Sequence, residues 1–118
     1  MRHGRCWANG GRVDRMSGVG VDANMKARLL LREKRILGED RFAEMVIWKL
    51  PRPAPGRHHA FKYRLALVVD EVCVLRFDNE SGKGDHKHVG ARELPYDFTS
   101  LAQLVTDFWN EIDNWSGR

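Results

Sequence analysis

FKYRLALVVDEVCVLRFD, residues 61–78, is the stretch whose reading decides the fold. Two runs of strand formers, 61–69 and 72–78, flank the polar pair Asp70-Glu71, the pattern of a β-hairpin with a two-residue loop. Such a loop predicts a register in which Val69 faces Val72, Leu67 faces Val74, Leu65 faces Arg76 and Tyr63 faces Asp78. One face is then apolar near the turn and polar at the far end, where Arg76, Tyr63 and Asp78 meet. The other carries Val68, Cys73, Ala66, Leu75 and Phe77, with Arg64, Lys62 and Asn79 at its open end. Both faces are apolar near the turn, so both are expected to be covered there. The Asp-Glu turn lacks the glycine that primed turns prefer, which weakens the register argument.

Upstream, residues 27–37 are apolar-rich with Lys and Arg interleaved, Gly38-Glu39-Asp40 is a turn candidate, and FAEMVIWKL (42–50) is a strand stopped by Pro51. PRPAPGRHH (51–59) holds three prolines and a glycine and reads as an exposed loop, with His58 and His59 as inert surface residues. Downstream, residues 80–90 read as a polar, glycine-rich loop. From Tyr96 onward Leu101, Leu104, Val105, Phe108, Ile112 and Trp115 mark one helical stripe, which Ser100 or Thr99 can cap. Asp97 at its start suits the helix dipole. Trp109 and Trp115 are expected to be core residues. These elements predict an α+β fold: an antiparallel β-sheet of four to five strands packed by a C-terminal α-helix.

The 118 residues suit one compact domain, expected over 25–118. Residues 1–24 are punctuated by glycines and hold no helix or strand period for a turn, so they read as a disordered leader. An over-extended gene start, with Met25 or Met16 as the initiator, is favoured over a basic arm that touches nucleic acid. No apolar run approaches a membrane span, and the opening residues lack the apolar core of a secretory signal. The expected compartment is the cytoplasm, without membrane association. Cys6 and Cys73, in unlike settings, make neither a disulfide framework nor a zinc pattern, and Cys73 reads as a core thiol. The net charge of +4 is unevenly spread: residues 25–94 hold fifteen Lys/Arg against ten Asp/Glu, and residues 95–118 one against four. A basic body suits RNA, DNA or an acidic protein, although a solvated surface with a mild excess of cations reads equally well.

Reactive side chains concentrate between Arg76 and His88. Cleavage of an RNA phosphodiester needs a base for the 2′-hydroxyl and an acid for the leaving 5′-oxygen, and histidine suits both. His86 and His88 share one side of an extended chain, with Lys87 pointing the other way. Lys83 or Arg76 can neutralise charge on the phosphorane, and Asp78 or Asp85 can orient an imidazole. The assignment is catalytic His86, His88, Arg76 and Asp78; substrate-binding Lys83, Lys87, Asn79, Tyr63 and Arg64; no metal and no cofactor. His-x-His with a carboxylate is also a metal-ligand set, ranked lower for want of a third firm ligand. The Gly-Lys-Gly stretch lacks P-loop spacing. A solvated loop is the bland alternative.

KYRLALVVDEVCVLRFDN followed by GKGDHKH, with MKARLLL and AEMVIWKLP upstream, resembles the TumE-type toxins of bacterial toxin–antitoxin systems, from Met25 to about Trp115. The combination of R-[FY]-D-N with a downstream H-K-H carries the likeness, which transfers functional weight to Arg76, Asp78, Asn79, His86, Lys87 and His88. The resemblance implies a growth-inhibiting toxin neutralised by a cognate antitoxin, commonly one with a helix-turn-helix domain. It does not by itself establish ribonuclease activity. A metal-independent ribonuclease leads. A toxin that binds RNA or protein without catalysis, a metal-dependent nuclease and a housekeeping domain remain as alternatives.

Overall fold

The computed structural model describes residues 26–53, 57–79 and 84–115. Among them lie six strands and one helix: β1 (Arg28–Gly38), β2 (Arg41–Lys49), β3 (Phe61–Val69), β4 (Val72–Asp78), β5 (His86–Val89), β6 (Arg92–Pro95) and α1 (Leu101–Trp115). The strands form one antiparallel meander in chain order, so each pairs with its neighbours in sequence. The fold is α+β, with one strand more than the four to five expected. The leader expected over 1–24 lies outside the described residues.

The extra strand comes from the segment read as a loop. In His86-Lys87-His88-Val89, a strand's period of two sends both histidines to one face and Lys87 and Val89 to the other. Val89 opposes Leu75 and packs against the core, which draws the segment onto β4. Gly90, with φ of 63°, then turns the chain into β6.

The central hairpin turns where expected, at Asp70-Glu71. Both residues take positive φ, 52° and 67°, as a primed two-residue turn requires. The amide of Asp70 donates to the carbonyl of Asp40 at 2.7 Å, which ties this turn to the β1–β2 turn.

Beyond the turn the expected register fails. Val69 opposes Val72 and Val68 opposes Cys73, but Leu67 opposes Leu75, so Val74 is an extra residue in β4. A bulge of this kind flips every later side chain on its strand. Leu65 therefore faces Phe77, not Arg76, and Asp78 faces Arg64, not Tyr63. The carbonyl of Val74 accepts the Gly90 amide at 2.9 Å, so the bulge is held from the β5–β6 turn.

The two faces now differ sharply. One buries Ala43, Met45, Ile47, Tyr63, Leu65, Leu67, Leu75 and Phe77 beneath α1, which adds Leu104 and Phe108. Phe77 meets Phe108 and Tyr96 edge-on, at centroid separations of 5.9 and 5.1 Å. Deleting a ring as deeply buried as Phe108 typically costs about 3–5 kcal/mol. Trp109 and Trp115 are partly buried against this core, and Arg35 of β1 stacks over Trp109 at 4.9 Å. The helix begins at Ser100, whose Oγ accepts the Gln103 amide at 3.0 Å. Gln103 turns its side chain to Asp107. Asp97 lies before the cap, and the first turn of the helix holds no acid. Cys73 is disulfide-bonded, not the free thiol expected. No helix among the described residues is long and apolar enough to cross a membrane.

Left-handed backbone is disfavoured for a residue with a Cβ by roughly 1 kcal/mol. Glu71→Gly creates the Asp-Gly pair that primed turns favour and should raise unfolding stability by about 0.5–1 kcal/mol in urea titration. A loss of stability would contradict the turn geometry.

Candidate functional site

The bulge delivers Arg76 and Asp78 to the face that α1 leaves open, and the β4–β5 register supplies the histidines. Arg76 opposes His88 and Asp78 opposes His86. Cross-strand partners share a face, so four candidate side chains meet in two adjacent pairs. Asp78 and His86 are buried, at 5% and 7% exposure, and Arg76 and His88 are partly open.

The contacts set the two histidines in unlike surroundings. His86 Nε2 lies 2.7 Å from Asp78 Oδ1, and its Nδ1 lies 3.0 Å from the Gly84 carbonyl oxygen. Its ring thus lies between a carboxylate and a backbone carbonyl, both groups that can only accept. His88 is the reverse case. Its Nε2 lies 2.8 Å from Arg76 Nη2, a group that can only donate, so Nε2 must present its lone pair. Burial, then the positive charge of Arg76, holds the His88 imidazolium below the ordinary histidine pKa. The two rings stand edge to face with centroids 5.0 Å apart.

Asp78 holds the group together. Its Oδ2 lies 3.2 Å from Arg76 Nε and its Oδ1 2.7 Å from His86 Nε2, both as ion-pair contacts. A buried carboxylate beside a guanidinium is compensated by it. Glu93, on β6 and opposite His88, brings Oε2 to 3.8 Å from His86 Nε2. An open groove of about 650 Å³, lined in part by Cys73, Val74, Arg76, His88 and Gly90, runs from this cluster along the bulge. Among the described residues, ligand atoms of Asp78, His86 and His88 also lie within 4.8 Å of one another, close enough to share a metal ion.

The other sequence-derived residues are dispersed. Arg64 stands on the open face, opposite Asp78. Lys87 lies on the helix face and pairs with Glu111 at 2.8 Å. Tyr63 is fully buried on that face, and its hydroxyl donates to Asp85 Oδ2 at 2.6 Å. Burial first, and then Asp85, push the phenol far above its usual pKa, so it stays a proton donor. Asn79 has no exposure: its Oδ1 accepts the Tyr63 amide at 3.1 Å, and its Nδ2 donates to the Phe61 carbonyl at 2.8 Å. Lys83 lies outside the described residues.

Two features were not anticipated. Glu93 was never singled out, although its place as the second residue of β6 puts it opposite His88. His59, expected to be exposed and inert, has a side chain only 8% exposed; it stacks on Phe98 at 3.9 Å and contacts Asp85 at 2.9 Å. Asp85 thus orients His59, not His86 or His88. His58 is exposed as expected, with Nε2 3.5 Å from the Phe98 carbonyl oxygen.

The sequence model of the family described as Toxin TumE matches residues 20–116, the hairpin and both halves of the charged cluster included. The chain belongs to this toxin family. Membership of a toxin–antitoxin family implies a cognate antitoxin as partner. No curated protein and no solved structure matches the toxin significantly.

Asn79 latches β3 to the end of β4 in this toxin through two buried hydrogen bonds. Asn79→Ala orphans the buried Tyr63 amide and the half-buried Phe61 carbonyl, and an orphaned buried group typically costs about 1–3 kcal/mol. Chemical denaturation should show a loss of about 2–4 kcal/mol. A change below measurement error would show that the latch carries no stability.

Proposed function

We propose that the toxin is a metal-independent ribonuclease whose centre is Arg76, Asp78, His86 and His88. The observation that carries this reading is the unequal setting of two histidines 5.0 Å apart: His86 lies against the Asp78 carboxylate and the Gly84 carbonyl, and His88 against the Arg76 guanidinium. Transesterification of RNA needs that asymmetry. His88 Nε2 takes the proton of the 2′-hydroxyl, and the freed oxygen attacks phosphorus. The bond from phosphorus to the 5′-oxygen breaks, and His86, turning its Nε2–H from Asp78 to that leaving oxygen, protonates it. The products are a 2′,3′-cyclic phosphate and a 5′-hydroxyl, and proton exchange with water resets the rings. Arg76 moves its charge from His88 to the non-bridging oxygens of the phosphate, which frees the His88 lone pair as substrate enters. Asp78 keeps His86 aligned.

The ligand geometry at Asp78, His86 and His88 favours a second reading, a metal-dependent nuclease. The guanidinium of Arg76 touches Asp78 and His88 already, and a second cation there would have to displace it. That competition ranks the metal-free reading first. Translated RNA in the cytoplasm as target, and a helix-turn-helix antitoxin as partner, belong to the same proposal.

His86→Ala and His88→Ala should each abolish growth inhibition on induced expression, and each protein should remain folded by circular dichroism. Full toxicity of the double variant would sink the proposal. The acid limb of the rate–pH profile should lie below the ordinary histidine value of 6.5, since burial and Arg76 resist protonation of His88. Arg76→Gln removes the positive neighbour, so that limb should move to higher pH as overall activity falls. An unmoved limb would show that His88 is not the base.

A further inference from the structure

Asp85, the residue before His86, is held from three other segments. Its buried side chain stands between His59 and Tyr63. His59 Nε2 lies 2.9 Å from Oδ2 and 3.2 Å from Oδ1, and the Tyr63 hydroxyl donates to Oδ2 at 2.6 Å. Its backbone carbonyl accepts the Tyr96 amide at 3.1 Å. His59 precedes β3, Tyr63 lies within it, and Tyr96 follows β6.

His59 is held as firmly. The Phe61 amide donates to its Nδ1 at 3.1 Å. An amide can only donate, so Nδ1 presents its lone pair and the ring hydrogen sits on Nε2, facing Asp85. The ring stacks on Phe98 at a centroid separation of 3.9 Å. The steps of transesterification use none of these groups.

The link to the histidine pair runs through one peptide plane. The Gly84 carbonyl oxygen lies 3.0 Å from His86 Nδ1. That carbonyl shares a rigid plane with the Asp85 amide, so holding Asp85 fixes where it points. Gly84 takes φ of 82°, the left-handed region that favours glycine, and a Cβ there would meet nothing within 4 Å. Backbone conformation, not a steric neighbour, therefore aims the carbonyl. The hydrogen bond made by one nitrogen of an imidazole sets the tautomer and the plane of the ring, and so where the other nitrogen can deliver a proton. In the proposed reaction His86 Nε2 turns from Asp78 to the 5′-oxygen, and Nδ1 on Gly84 is the contact that can persist through that turn.

We propose that His59 is a positioning residue of the nuclease: through Asp85 it holds the Gly84 carbonyl that fixes the ring of His86. The consequence for catalysis rests on the ribonuclease reading, but the orientation of His86 can be measured without RNA.

The test uses the full chain and three substitutions of one residue. His59→Phe keeps a ring against Phe98 and loses both nitrogens. His59→Asn can still accept the Phe61 amide and is too short to reach Asp85. His59→Gln can place an amide N–H where Nε2 stands. Nitrogen-15 NMR of the imidazole nitrogens, without RNA, reads the tautomer of His86. His59→Phe and His59→Asn should both shift the His86 Nδ1 resonance, and His59→Gln should return it toward its place in the unsubstituted protein. On a fluorescent RNA oligonucleotide the first two should lower kcat by about tenfold or more, as small misplacements of a reacting group do. KM should stay within about twofold, since His59 touches no substrate, and His59→Gln should recover most of kcat. Ser100→Ala strips the helix cap, destabilises the chain elsewhere and should move neither reading. If neither loss variant folds, Tyr63→Phe removes the other donor to Asp85 and should shift the same resonance. An unmoved His86 resonance would overturn the proposal. So would full kcat beside a shifted resonance, or a loss of kcat that Ser100→Ala reproduces. A shifted resonance in a protein that cleaves no RNA would keep His59 as the anchor of His86 and remove the nuclease reading.

Discussion

One unpaired residue, Val74, decides what this sheet can do. The bulge it makes in β4 turns Leu75 and Phe77 toward the helix and sends Arg76 and Asp78 to the open face. Without it, a guanidinium and a carboxylate would press on the aromatic core around Phe108, where neither could be solvated. With it, the apolar payload of β4 completes the core, and its charges meet the histidines of β5. The Val74 carbonyl is not wasted, since it accepts the Gly90 amide and helps set the β5–β6 turn.

From that displacement the rest follows in order. Asp78 is buried and must be compensated, and Arg76 and His86 compensate it. Arg76 is then aimed at His88, whose pKa burial, and after it Arg76, hold below the ordinary histidine value. Two identical side chains, one position apart on the same face, are made chemically unequal by their neighbours alone. On the helix face the same strands do structural work: Asn79 latches β3 to β4, and Lys87 clamps β5 to α1 through Glu111.

Much of this was legible in the residues, for definite reasons. The 101–115 stripe and its Ser100 cap have a single reading, and α1 matches it. The turn at Asp70-Glu71 was legible because polar residues interrupt two apolar runs. The bulge was not, because β4 is apolar on both faces near the turn and a slip of one residue breaks no visible pattern. That hidden slip is what wrongly joined Tyr63 to Arg76 and Asp78. The strand character of 86–89 was masked by its polarity, since its one apolar residue, Val89, packs on a core built elsewhere. His59 escaped because its partner Asp85 lies 26 residues away, and no local pattern encodes such a pair.

The central claim is that unequal histidines, with no metal, cleave RNA through its own 2′-hydroxyl. The most direct measurement is the chemistry of the RNA ends left by purified, metal-stripped protein in EDTA. The account predicts 2′,3′-cyclic phosphate and 5′-hydroxyl ends, lost with His86→Ala or His88→Ala and absent on a 2′-O-methyl substrate. Intact RNA under those conditions would contradict it, as would metal-dependent cleavage that leaves 5′-phosphates.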